Sequence, residues 1–278
     1  MTTHRMLPLY EGKMGHQFNH RVATFTGVAD TDIAAFYAQA PDDHVLPRYW
    51  VRDDVVEDRL ARRTWGTEHA LLGFRRVARN TDERTVIASF LPYGAASYGW
   101  ILSAGPAARD LALLCAQYNS FVFDFVLRQF LSQPSIPQGT FEQLPTLTRQ
   151  DLNRLGDSAA VETWVVTRVA SLVGDSVELA AFVDELDVRT QELREVDRIR
   201  AELDAAIFHL YGIERDDVDY IMETFPIVKR KDIAEHGEYR TKQLILEFYD
   251  AMAEAERTGI PYTSPLDDPS TKSKAGAR

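Results

Sequence analysis

The pattern of hydrophobic positions changes period near residue 105. Before that point, short runs either alternate apolar and polar residues or are β-branched throughout. VATFTGV (22–28), RTVIASFL (84–91, ended by Pro92) and WILSAG (100–105) therefore read as strands, with QAPDDHVLPRYW as a loop between them. DTDIAAFYAQA predicts a short helix capped by Asp30 or Thr31. From Ala107 the period is helical. Leu111, Leu114, Cys115, Tyr118, Phe121, Val122 and Phe125 recur at spacings of three and four, which predicts a largely buried helix. SQPSIPQG (132–139) breaks the pattern with two prolines.

Beyond the break the chain reads as mostly helical. VETWVVTRVASLV is apolar enough for a core helix, and Arg189 to Gly212 places Leu193, Val196, Leu203, Ile207 and Leu210 on one stripe with Gly212 as C-cap. ERDDVDYIMETF puts acids in a first helical turn, and YRTKQLILEFYDAMAEAER makes a last helix ended by Gly259. The expected class is α+β: a sheet-rich N-terminal domain over 1–150, a mostly helical segment over 151–262 and a polar, disordered tail over 263–278. No internal repeat of fixed period interrupts this order.

Composition narrows the class. With 278 residues, 45% hydrophobic and 26% charged, the chain has ample apolar material for a core. Its single cysteine, Cys115, sits in the apolar run LALLCAQY and reads as a small core residue. No run approaches the length of a membrane span and MTTHRMLPLYEGK has no signal-peptide core, which together suit a reducing cytoplasm and no membrane partner. The net charge of −11 is unevenly placed. Residues 1–150 carry 15 Lys and Arg against 15 Asp and Glu, whereas residues 151–278 carry 16 against 27. Nearly all the basic residues of the first part are arginine, whose rigid fork suits phosphates and guanine edges.

Motifs for catalysis are absent. His16 and His20 have the spacing of two zinc ligands on a helix, but Gln17 stands where a zincin would place its glutamate base, and Gly12 and Gly15 weaken a helix there. No Gly-x-Gly turn occurs to seat S-adenosylmethionine. The nearest match to an Asn/Asp/Ser-Pro-Pro-Tyr loop, Leu91-Pro92-Tyr93, begins with a residue that accepts no hydrogen bond. A phosphate-cradling Gly-x-x-x-x-Gly-Lys-Ser/Thr loop and a Gly-x-Ser-x-Gly elbow are also lacking. Asp219, Glu223 and Lys229 lie near one another but fail the nuclease spacing, which needs a carboxylate two residues before the lysine. The chain alone is expected not to be an enzyme.

What remains is a set of specific segments: LYEGKMGHQFNHR, LPRYWV, LGFRRVARNTDERTVIASFLP, NSFVFDFVLRQF and EQLP, followed by RAELDAAIFHLYGIERDDVDYIMETFPIVKRKD and GEYRTKQLILEFYD. These resemble the target-recognition and C-terminal region of large adenine-specific (N6) DNA methyltransferases. Such enzymes include the nuclease-fused type IIG restriction-modification enzymes and those of DISARM-type phage-defence systems. The resemblance spans roughly residues 7 to 250, without the methyltransferase or nuclease domains. It departs at FLSQPSIPQGTF, where the family has a glycine-, threonine- and histidine-rich turn.

The resemblance implies a DNA-recognition module that binds duplex DNA while a partner, a methyltransferase subunit or upstream polypeptide, carries S-adenosylmethionine and transfers the methyl group. The initiator-like Met1 suggests a separately encoded subunit or the downstream piece of a split gene. No cofactor or metal is expected in this chain. Side-chain chemistry nominates Lys13, His16, Gln17, Asn19, His20 and Arg21, with Arg75, Arg76, Arg79, Asn80 and Arg84, as DNA contacts. Arg75 and Arg79 could instead brace the fold through Asp82, Glu83 or Asp124. Lys229-Arg230-Lys231 could hold phosphate, dock a partner domain or form a solvated turn. Tyr49-Trp50 and Phe121, Phe123 and Phe125 read as core. The competing class is a protein-interaction module of a defence complex, or a gene remnant, that binds no DNA.

Overall fold

The computed structural model describes residues 4–190 and 195–267, and the fold is α+β. In chain order the first stretch forms β1 (Met6–Tyr10), β2 (Ala23–Phe25), β3 (Ile33–Ala35), β4 (Trp50–Arg52), α1 (Asp53–Leu60), β5 (Ala70–Arg75), β6 (Ala88–Pro92), β7 (Ala95–Ala96) and β8 (Trp100–Ser103). Helices follow: α2 (Ala108–Tyr118), α3 (Phe121–Phe130), α4 (Gln138–Phe141), α5 (Ser158–Val173) and α6 (Ala180–Glu185). The last four are α7 (Val196–Leu210), α8 (Arg215–Glu223), α9 (Pro226–His236) and α10 (Arg240–Thr258).

The chain divides into two compact units. One runs to Thr146 and resumes over Thr163–Thr190; the other takes Leu147–Glu162 and the chain from Gln191 on. The chain thus passes between the units three times, after Thr146, Glu162 and Thr190. Residues 163–190 belong with the first unit because their apolar side chains complete its core: the Phe182 ring lies 4.2 Å from that of Phe90, and both are fully buried.

Small sheets build the first unit. β5 is the centre of an antiparallel sheet in the order β6-β5-β8, with Leu72 opposite Phe90 and Ser103. β1 pairs antiparallel with β4 and parallel with β7, and β2 pairs with β3. The Ile33–Ala35 run is therefore a strand, not the predicted helix: Phe25 pairs with Ile33, so the alternation of VATFTGV finds its partner here. One apolar cluster gathers Tyr10, Met14, Phe25, Val45, Leu71, Leu91 and Trp100. Tyr49 and Trp50, expected in the core, are about half exposed at 49% and 50%.

The predicted continuous helix after Ala107 is broken. α2 and α3 meet at a bend of 67° at Asn119-Ser120, where the Ser120 hydroxyl accepts from the Phe123 N–H as an N-cap. Cys115 is fully buried, as are Phe121 and Phe123, while Phe125 is only partly so. Among the described residues no single helix is long and apolar enough to cross a membrane. The bent α2–α3 pair passes by composition alone and is mostly core.

The second unit is helical. Residues 201–208 of α7 are buried on every face, and α10 packs along α7 through Leu244, Ile245, Phe248 and Met252. Lys229, Arg230 and Lys231 lie on α9, not in a turn, because Pro226 sits at the first helical position and Gly237, at φ 79°, closes the far end. Leu193 of the predicted stripe lies outside the described residues. The tail is ordered further than expected: Ser264 is buried and its carbonyl accepts from the Asp267 N–H. Residues 268–278 also lie outside the described residues.

Candidate nucleic-acid interface

Most residues nominated in Leu9–Arg21 form an internal frame rather than a surface. Gly12–Met14 makes a single 3-10 turn. His16 and Asn19 then pair backbone to backbone across a tight turn in which Phe18 adopts the left-handed conformation, φ 61°. That strained position is held by burial of the ring and by the Phe18 N–H donating to the Ala88 carbonyl at 2.9 Å. The two histidines therefore share no helix face, which removes the zinc geometry their spacing allowed. No group of three metal-ligating side chains occurs among the described residues.

Gln17, buried, donates from Nε2 to the carbonyls of Val86 (3.3 Å) and Asn119 (3.2 Å). Asn119 in turn pairs with Ala88 as a strand would: its Oδ1 accepts from the Ala88 N–H at 2.9 Å and its Nδ2 donates to the Ala88 carbonyl at 3.0 Å. β6 is an edge strand, so this side chain satisfies backbone groups that would otherwise be open. The break between α2 and α3 is what aims Asn119 at that edge.

Arg84 is also internal. Its Nε donates to Asp124 Oδ2 at 2.9 Å, its NH2 reaches the Asn119 carbonyl at 2.6 Å, and its guanidinium lies 3.9 Å from the Phe121 ring centroid. Asp124 is fully buried and also accepts from Arg128 Nε at 2.8 Å and from the Thr85 N–H at 2.9 Å. Two arginines thus share one buried carboxylate, and Arg128 NH2 also bonds the carbonyls of Asp82 and Glu83.

Arg21, 2% exposed, is a clamp on carbonyls. NH1 reaches those of Ala40, Pro41 and Asp43, and NH2 that of Asp175 at 2.6 Å, so it joins the 40–43 loop to the segment before α6. His20, also 2% exposed, meets Glu178 Oε2 at 3.0 Å, and the Tyr10 hydroxyl donates to the other Glu178 oxygen at 3.5 Å. Burial pushes the Glu178 carboxyl up, but the bond and charge of His20, with His44 and Arg21 nearby, bring it below its ordinary value. Asn19 is spent on the Arg21 N–H at 2.8 Å. Gln17, His20, Arg21 and Arg84 are therefore corrected from DNA contacts to scaffold, since a buried side chain already holding protein carbonyls and carboxylates has no face for a duplex.

The remaining nominated residues of this unit reach solvent. Lys13 is exposed, with Nζ on the Asp30 carbonyl at 3.1 Å, and His16 is half-buried. Arg75, at the end of β5, Arg76 and Arg79 stand within five positions on the β5–β6 hairpin. Among the described residues none of the three has a carboxylate within ion-pair distance, whereas Arg5, Arg21, Arg48, Arg52, Arg62, Arg84 and Arg128 all do. Desolvation pulls the Arg75 guanidinium below its ordinary value, opposed by the charge of Asp82. The Asp82 carboxylate itself caps the hairpin by accepting from the Arg79 N–H at 2.8 Å.

Residue choice fixes the hairpin's shape. The Thr85 hydroxyl bonds the Arg79 carbonyl at 3.0 Å, and the buried Ile136 donates its N–H to the Arg76 carbonyl at 2.8 Å. Ile136 belongs to SQPSIPQG, the proline-punctuated segment that follows α3. Tyr98 completes the patch. It is 75% exposed on the turn between β7 and β8, with the Arg76 guanidinium 4.0 Å from its ring centroid. Reasoning from sequence passed over it, although Ser-Tyr-Gly between two strands is a turn signal that exposes its central side chain.

In the second unit, Lys229 Nζ bonds Glu223 at 2.6 Å, and Lys242 bridges Asp219 and Glu223 at 2.7 Å each. The Lys229 and Lys242 ammonium groups hold the Glu223 carboxyl below its ordinary value. Arg230 and Lys231 are exposed. Compared with known proteins, the chain matches no protein-family model, no curated protein and no solved structure.

Proposed function

We propose that this chain is the DNA-recognition module of an adenine-specific DNA methyltransferase, in a type IIG restriction-modification or phage-defence system. It binds duplex DNA in the cytoplasm while a partner methyltransferase, loaded with S-adenosylmethionine, flips and methylates the base. The observation that carries the reading is the arginine hairpin. In a chain of net charge −11, three neighbouring arginines have no carboxylate within ion-pair distance among the described residues, and a polyanion is the ligand that such a group favours. The resemblance in LYEGKMGHQFNHR and LGFRRVARNTDERTVIASFLP supports the same reading, now with a division of labour. Buried members of those motifs set the hairpin, and its solvent-reaching arginines, Arg79 exposed and Arg75 and Arg76 half-buried, meet the backbone and base edges.

Titration of duplex DNA against the chain at several salt concentrations tests this. Binding that weakens with salt, with the slope of log K against log salt reduced by about two to three when Arg75, Arg76 and Arg79 are all replaced by Ala, is the expected result. That triple variant should keep its stability within about 1 kcal/mol, since none of the three arginines has an ion pair among the described residues. Absence of binding at low salt overturns the proposal.

A second reading is favoured by one observation, the acidic second unit. There Asp216, Asp217, Tyr220 and Glu223 line the exposed side of α8. An interaction module would dock through that surface and leave the arginine hairpin unused.

A further inference from the structure

Two exposed tyrosines in the first unit sit against arginines, and their settings differ. Tyr49 has the Arg48 guanidinium 4.8 Å from its ring centroid, but Arg48 is already bonded to Glu11 at 2.8 Å and to Asp30. Tyr98 has Arg76 at 4.0 Å, and Arg76 has no carboxylate among the described residues. At the first pair the cation is already matched by two carboxylates. The second is an aromatic ring with a cation laid on one face, projecting from the β7–β8 turn beside the arginine hairpin.

The turn that carries Tyr98 is fixed from several directions. The Gly99 N–H bonds Ser97 Oγ at 3.2 Å, the Trp100 N–H bonds the Ser97 carbonyl at 3.0 Å, and the Ser97 N–H bonds the Tyr10 carbonyl at 2.9 Å. The Arg76 N–H reaches the Gly99 carbonyl at 2.9 Å, which ties this turn to the arginine hairpin. Gly99 also packs on Gly12 so closely that a Cβ on it would lie 2.9 Å from the Gly12 nitrogen, backbone against backbone. A large ring is thus held out to solvent on rigid backbone, and the entropy of ordering it is already spent before any ligand arrives.

We infer that Tyr98 is a base-stacking residue of this interface, receiving a nucleobase that has left the duplex stack while Arg75, Arg76 and Arg79 hold the flanking phosphates. This rests on the DNA-recognition reading and adds to it the state of the DNA. In an intact duplex the flat faces of the bases are covered by one another, so an aromatic ring gains stacking only where a base is bulged, flipped or at an opened step. A cation over the opposite face of the ring suits this role, because it draws the negatively charged sugar-phosphate chain to the place where the ring can stack.

The test compares fluorescently labelled duplexes that are fully paired with the same duplexes carrying one unpaired bulged adenine, by anisotropy at low salt. The wild-type chain should prefer the bulged duplex by roughly five- to a hundred-fold. Tyr98→Ala should lose that preference, Tyr98→Phe should retain it, and thermal melting should report all three proteins folded, since the side chain is three-quarters exposed. Equal binding of both duplexes by the wild type, or an undiminished preference in Tyr98→Ala, overturns the stacking assignment and leaves DNA recognition standing. Failure of the wild type to bind either duplex overturns the recognition reading and this inference together. In that event, loss of binding to an added methyltransferase polypeptide in Tyr98→Ala would make the ring a protein contact instead.

Discussion

Arg84 and Arg79 are five residues apart in one hairpin and have opposite surroundings. Arg84 is 8% exposed, bonded to Asp124, to the Asn119 carbonyl and stacked on Phe121; Arg79 is exposed and its guanidinium has no carboxylate partner among the described residues. The difference follows from where β6 begins. Residues 84–88 run into the sheet and beside α3, so a side chain at 84 must be satisfied from within, whereas 75–79 leave the sheet. An arginine's identity says only that it wants several acceptors in one plane. Whether it takes them from the protein or from a ligand is decided by the acceptors the fold has already placed nearby.

The strongest way to break this comparison is at Asp124. Its carboxylate is the shared anion of Arg84 and Arg128, and it is fully buried. Asp124→Ala should leave two cations without their partner inside the protein, destabilising by about 3–5 kcal/mol in chemical denaturation, or preventing folding altogether. A loss below about 1 kcal/mol would mean that the arginine frame is not internal in the sense described. Asp124→Asn keeps the acceptor oxygen but not the charge, and should recover only part of the loss.

This contrast also marks how far the sequence could be read. Local periodicity yields the core helix of VETWVVTRVASLV and the last helix closed by Gly259, and strands at Trp100–Ser103 and Ala88–Pro92, although the strand expected over 84–91 begins only at Ala88 and includes Pro92. The helix predicted around Ile33 fails because a three-residue pairing with β2 outweighs a weak local preference. The bend at Asn119 was invisible for a related reason: the apolar period runs through it, and only the distant edge of β6 explains why an asparagine stands there. Among the nominated site residues, composition could not separate Arg75 and Arg79, which reach solvent, from the buried Gln17, His20, Arg21 and Arg84. Their partners, Val86, Glu178, the 40–43 loop and Asp124, are remote in sequence.

A smaller effect should sharpen the comparison through pH. Glu178 bonds His20 and lies near Arg21, and its carboxyl is held below its ordinary value of 4.5. A depressed folded-state value means stabilisation that is fully present above about pH 4.5 and is lost as the pH falls through the folded-state value. Glu178→Gln should therefore be less stable than the wild type by about 1–2 kcal/mol near pH 7. The gap between the two proteins should close in urea titrations repeated at progressively lower pH. A gap of unchanged size at pH 3 would show that the carboxylate's charge contributes nothing to holding this segment.

The smallest effect is expected in the second unit, where Lys229 provides the counterpart of an exposed but paired cation. Its ammonium bonds Glu223 at 2.6 Å, yet both side chains are about 40% exposed, and Lys242 keeps Glu223 company when Lys229 is removed. Water and the second lysine should absorb most of the loss, so Lys229→Ala is expected to change stability by less than about 1 kcal/mol, and by less still in high salt. Its effect on the salt dependence of DNA binding distinguishes the two kinds of exposed cation. Lys229 already has a protein carboxylate to return to, so its loss should leave the slope within experimental error, unlike that of Arg75, Arg76 and Arg79. A drop of about one unit for Lys229→Ala would place α9 on the DNA as well and would make an ion-pair partner a poor guide to which cations bind phosphate here.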